Sequence, residues 1–132
     1  MKKRLILVVV TLVSFLFLTQ AATAAYDSAQ TKAAMKQAVQ TFKDLNAKVT
    51  AKDYYGAADK FMDIAKLFKE LESAAPPALD QAKWTRIHEG IVNAAFKGIG
   101  ACGLKDDKGI QQAISEIIKL RDEGHQMLQP KK

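Results

Sequence analysis

The chain holds two histidines, four methionines and one cysteine, few enough that each soft donor can be weighed singly. Met35 and His125 carry a thioether and an imidazole, the two neutral donors that haem iron accepts as an axial pair and that favour a higher reduction potential. Arg121 lies one helical turn before His125, on the same face, where a guanidinium would meet a haem propionate or the haem edge. Trp84 and His88 are one turn apart, and Phe42 follows Met35 on an apolar stripe. The same residues also have plain structural readings. A methionine on an apolar stripe fills a core, a histidine near a helix C-terminus complements the helix dipole, and an arginine there is a solvated charge. His88 can be a satisfied core histidine, a pocket wall or a rival ligand, of which the wall is favoured.

Other chemistries find less support. Cys102 has no partner for a disulfide and reads as a small buried apolar residue. No C-x-x-C-H motif is present to attach a haem covalently. There is no Ser/His/Asp order and no Cys/His pair specific enough to name a nucleophile. The residue three before His125 is Asp122, a weak near-match to the Glu-x-x-His of di-iron bundles. Zinc through His88 and His125 lacks a third ligand.

These side chains can act only if helices bring them together. Apolar residues recur at intervals of three and four, the helical period, in four segments. The first, about Ser28 to Lys48, has Met35, Ala38, Val39, Phe42, Leu45 and Val49 on one stripe. The second, about Asp53 to Ser73, turns Ala57, Phe61, Ile64, Ala65, Phe68 and Leu71 inward. Pro76-Pro77 breaks the chain, since neither proline donates a helical hydrogen bond. Asp80 is a fair N-cap for the third segment, which carries Trp84, His88, Ile91, Val92, Ala95, Ile99 and Cys102 and closes at Gly103. The fourth starts near Asp106 or Asp107, carries Ile110, Ala113, Ile114, Ile117, Ile118, Arg121 and His125, and ends at Pro130. No internal repeat is apparent.

Short connections between long helices predict an all-α, antiparallel up-down-up-down four-helix bundle. Position along the chain then becomes height in the bundle. Met35, Phe68, Leu71, Trp84, His88 and His125 fall at one end, and bundle cores build cofactor sites from facing helices in this way. The opposite end, with Ala57, Ile99 and Ile110, reads as ordinary packing.

The segment before the first helix is of another kind. Lys2, Lys3 and Arg4 precede an apolar run from Leu5 to Leu18, broken only by Thr11 and Ser14, and Ala22-Thr23-Ala24 is a small-x-small cleavage site. A spanning helix needs about 20 apolar residues, so residues 1–24 are expected to be a cleaved signal peptide and residues 25–132 the four-helix domain. The whole chain carries 20 basic and 14 acidic residues, a net charge of +6. The signal segment holds three of the basic residues, leaving 17 against 14 and a net +3, too small a bias to argue for nucleic acid.

Taken together, Met35 followed by Phe42 and Leu45, the Ala75-Pro76-Pro77-x-Leu79 break, the aromatic Trp84 and the C-terminal Arg121-x-x-x-His125-Gln126 resemble soluble cytochrome b562. That family consists of periplasmic four-helix bundles holding one non-covalent haem b. The resemblance spans residues 28–128 and implies axial ligands at Met35 and His125, with Arg121 flanking the haem and Trp84, His88 and Phe42 walling it. It departs at His88, where a second aromatic is expected, at Gly124 before the ligand, and in a longer first loop. It implies a periplasmic, monomeric single-electron carrier and not an enzyme, with a redox partner the sequence does not name, no nucleic acid, and no membrane span in the mature chain. Two other readings are a haem-free bundle acting as an interaction module and a metal-responsive periplasmic protein using His88 and His125.

Overall fold

In the computed structural model, residues 28–129 are described. The expected signal segment and the tail from Pro130 lie outside the described residues. These residues form four helices, α1 (Ser28–Thr50), α2 (Tyr54–Glu72), α3 (Gln81–Gly103) and α4 (Asp107–Leu128), arranged as a four-helix bundle. Among the described residues there is no strand, and no helix is long and apolar enough to cross a membrane.

Three aspartates start three of the helices. Asp53 accepts from the Gly56 amide at 2.9 Å, Asp80 from Lys83 at 3.0 Å and Asp106 from Gly109 at 3.0 Å. Each carboxylate thereby satisfies one of the amides a helix leaves unpaired in its first turn.

One local motif recurs. α1 ends at Thr50 and α3 at Gly103, 53 residues apart. At that same interval the turn 51–53 is repeated at 104–106. Lys52 and Lys105 both take a left-handed backbone, with φ of 57° and 52°. The backbone bonds of the two turns correspond one for one, from Ala51 N–H to Ala47 O and from Leu104 N–H to Gly100 O onward. Asp53-x-x-Gly56 and Asp106-x-x-Gly109 complete the match. A Cβ at either glycine would meet the capping carboxylate where it now lies, so the carboxylate would have to shift. The recurrence is one of turn geometry and capping, with few matching side chains. Gly103 is the last residue of α3 as expected, but the left-handed position falls on Lys105.

The core is a continuous cluster that includes Leu45, Phe61, Ile64, Ile87, Ile91, Ile110 and Ile117, each at most 1 % exposed. Burying one such side chain stabilises the fold by about 1.5–3 kcal/mol. Phe61 packs flat against the backbone at Gly98, where any Cβ would strike its ring. One stripe assignment fails: Val39 is 57 % exposed. It sits one residue past Ala38, at the margin of a face that the narrower line of Thr31, Ala38, Thr41, Phe42 and Leu45 already fills.

Backbone approach within 8 Å occurs between α1 and α2, α2 and α3, and α3 and α4, and not between α1 and α4. Those two helices meet through side chains alone, with the Arg121 guanidinium carbon 5.9 Å from the centre of the Phe42 ring. The pairs linking α3 to α4 are Arg86 with Glu123, Gly90 with Leu120 and Lys97 with Glu116.

Candidate functional site

The end of the bundle containing the N-terminus of α3 is organised around Trp84, which is 1 % exposed. Its indole N–H donates to the Leu71 carbonyl at 2.9 Å, one of the acceptors the end of α2 leaves without a helical partner. The fixed indole stacks on the His88 ring, with centroids 4.2 Å apart and planes 28° apart. The Phe68 ring from α2 lies 5.8 Å from the His88 ring, tilted by 42°.

His88 is buried, and its Nδ1 lies 2.8 Å from the Trp84 carbonyl. A carbonyl only accepts, so in the neutral ring this contact places the proton on Nδ1 and leaves the Nε2 lone pair free. Burial pushes the His88 pKa down, against smaller upward effects of the Trp84 carbonyl and Glu72. The imidazole is therefore neutral at pH 7 and able to donate a lone pair.

Two adjoining cavities share this end. The inner one, about 10 Å³, is walled by Met35, Phe68, Trp84, His88, Arg121 and His125, with Ile87, Ile91, Gly124 and Leu128 completing it. It has room for about one water. The outer one is a cleft of about 230 Å³ along the α1–α4 seam, lined by Met35, Phe42, Phe68, Arg121 and His125 among others. All six residues singled out in the sequence (Met35, Phe42, Trp84, His88, Arg121 and His125) thus line one or other of two cavities that share four residues. Met35 is half-buried and packs on the core. His125 is at the exposed rim. Arg121 is half-exposed and bonds Asp122 through Nη2 at 2.8 Å and Nε at 3.1 Å.

The sequence reading missed Ile87, Ile91 and Leu128 as walls. Ile87 and Ile91 follow Trp84 and His88 at three-residue intervals, and that spacing was the available signal. It also treated Gly124 as a departure. A Cβ there would only touch Ile87 Cγ2 at 3.6 Å, so Gly124 leaves open space beside the inner cavity.

The donor chemistry suits a haem: a thioether, two imidazoles, aromatic walls and a guanidinium converge where apolar surface is available. The volume is less than a macrocycle needs, since small-molecule pockets run to roughly 300–1,000 Å³. A macrocycle would fit only if α1 and α4 parted, and these two helices share no close backbone packing. Among the described residues no cluster of three or more His, Cys, Asp or Glu gathers to hold a bare metal ion. A larger hollow, about 630 Å³, lies elsewhere, between α2 and α3. It is edged by Lys66, Lys69, Glu72 and Glu89 and offers one soft donor, Met62, so it reads as a solvated groove.

Compared with known proteins, the chain matches no protein-family model, no curated protein and no solved structure.

Proposed function

We propose that this protein is an exported b-type cytochrome that binds one non-covalent haem and carries single electrons in the periplasm. In this reading its helices run up-down-up-down and antiparallel. That topology is supported by pairs such as 86 with 123, 90 with 120 and 97 with 116, in which numbers rise on α3 as they fall on α4. The observation that carries the reading is the convergence of Met35, Trp84, His88, Arg121 and His125 on one cavity, beside the one side of the bundle where neighbouring helices lack close backbone contact.

Met35 from α1 and His125 from α4 would hold the iron from the two sides of that seam. Trp84, His88 and Phe42 would exclude water from the macrocycle, and Arg121 would neutralise a propionate. Bound haem would supply a one-electron ferric/ferrous couple. With both axial positions taken by protein, none is left for substrate, so the protein would be a carrier and not an enzyme.

The test is a titration of the purified protein with haem, followed by its absorption spectrum. Sharp low-spin Soret and α bands are expected, and Met35→Ala should abolish the thioether-ligated form. Absence of those bands, or a spectrum unchanged by Met35→Ala and by His125→Ala alike, refutes the reading. A haem-free interaction module is the second reading, favoured by the near-closed inner cavity of about 10 Å³. It requires that haem leave the melting temperature unchanged, whereas a ligand bound only by the native state must raise it.

A further inference from the structure

Two observations single out His88 within the candidate site. The first is its place: His88 on α3 and Met35 on α1 both line the inner cavity.

The second is the way its ring is held. Nδ1 is fixed on the Trp84 carbonyl, and the ring stacks on Trp84 and contacts Phe68. Trp84 is itself anchored to Leu71. No protein group among the described residues bonds Nε2, yet no fully buried side-chain nitrogen or oxygen there lacks a partner. Nε2 therefore keeps some accessible surface, and His88 lines the inner cavity. Metal-ligating histidines are held in this manner, one ring nitrogen donating to a carbonyl so that the other presents its lone pair. His125 is exposed, and among the described residues no hydrogen bond holds its ring.

We propose that His88 is a second imidazole ligand for the same iron, able through Nε2 to take the axial position opposite Met35 that His125 fills in the reading above, on which this inference rests. The site then has two ligation states with the same donor types, one using a rim histidine on α4 and the other an interior histidine on α3. Haem iron that loses His125 remains six-coordinate.

The experiment loads the purified full chain, its His125→Ala variant and the His125→Ala/His88→Phe double variant with ferric haem. Spin state is read by absorption and electron paramagnetic resonance. The expected result is a low-spin six-coordinate signal in His125→Ala and its loss to a five-coordinate high-spin signal in the double variant. Added imidazole should restore the low-spin signal in the double variant, showing that it is folded, loaded and short of one ligand. A high-spin His125→Ala protein overturns the proposal on a single rim substitution that leaves the interior intact. A double variant that stays low-spin without imidazole also overturns it. If the unsubstituted protein takes up no haem, the haem reading itself falls and this inference with it, an outcome distinct from the other two.

Discussion

Replacing Trp84 by Phe isolates the anchor on which the candidate site is built. The substitution removes the indole N–H that donates to the Leu71 carbonyl across 2.9 Å. A buried hydrogen bond of this kind contributes about 0.5–1.5 kcal/mol net. The carbonyl is not left unpaired, because the backbone amides of Ser73 and Ala74 also bond it, so the further penalty of about 1–3 kcal/mol for a buried orphan acceptor does not arise. The smaller ring also gives up apolar contact worth about 0.8 kcal/mol per buried methylene equivalent, while the stack on His88 still has an aromatic partner. The sum is about 2 kcal/mol. For a domain of this size that lowers the melting temperature by roughly 8–16 °C, at about 4–8 °C per kcal/mol. Circular dichroism of the haem-free protein measures it. A fall under about 3 °C would refute the bond and the filling as stabilising contributions. A fall above about 25 °C would show that the Leu71 carbonyl has no adequate second partner.

Two more outcomes follow from the turns and from His88. Asp106→Ala should cost about 1 kcal/mol through loss of the cap, and Gly109→Ala should cost less in the Asp106→Ala background than alone, since the carboxylate it strikes is gone; a double-mutant cycle by chemical denaturation reads this coupling, and additive costs would refute the steric account. The His88 pKa is lowered by burial, so below about pH 6.5 the unfolded chain takes up a proton that the folded chain refuses. The contribution of His88 to stability is present above that pH and is lost as pH falls through it towards the folded value. The melting temperature should drop between pH 7.5 and 5.5, and His88→Phe should shrink the drop; an unchanged pH profile in the variant would refute the neutral buried imidazole. The carboxylates do not confuse this window. Asp53 is lowered mainly by the Gly56 amide and then by Lys48, and Asp107 by Lys52 and then Tyr54, so their contributions are lost only below about pH 4.

Much of this was legible in the sequence because the signals were local. The four helices follow from apolar spacing, and their starts from aspartates whose caps act within four residues. The shared end of Met35, Trp84, His88 and His125 follows from helix lengths and short loops. The signals that failed were of two kinds. Val39 was assigned to the buried stripe because adjacent apolar residues cannot be separated by periodicity when the face is wide, and only packing against α2 shows where the face ends. The recurring turn was missed because its likeness lies in backbone geometry. Lys52 and Lys105 adopt a conformation seldom taken by residues other than glycine, and nothing in a lysine announces it.

The same interval of 53 residues also bears on where the chemistry lies. At some positions the two halves agree: Asp53 with Asp106, Gly56 with Gly109, Ile64 with Ile117 and Leu67 with Leu120. Other core positions differ in size but stay apolar, as Phe42 with Ala95, Leu45 with Gly98 and Phe61 with Ile114. Around the inner cavity they differ in kind: Met35 corresponds to His88 and Phe68 to Arg121. A bundle needing only a packed core would gain nothing from placing a thioether opposite an imidazole, or a phenyl ring opposite a guanidinium, at matched depths. An asymmetric planar ligand gives such differences a use, because it presents two axial faces, an apolar edge and a charged edge to four different helices. That difference in kind, set beside the apolar exchanges in the core, is the feature a bound ligand of the proposed type would use at this end.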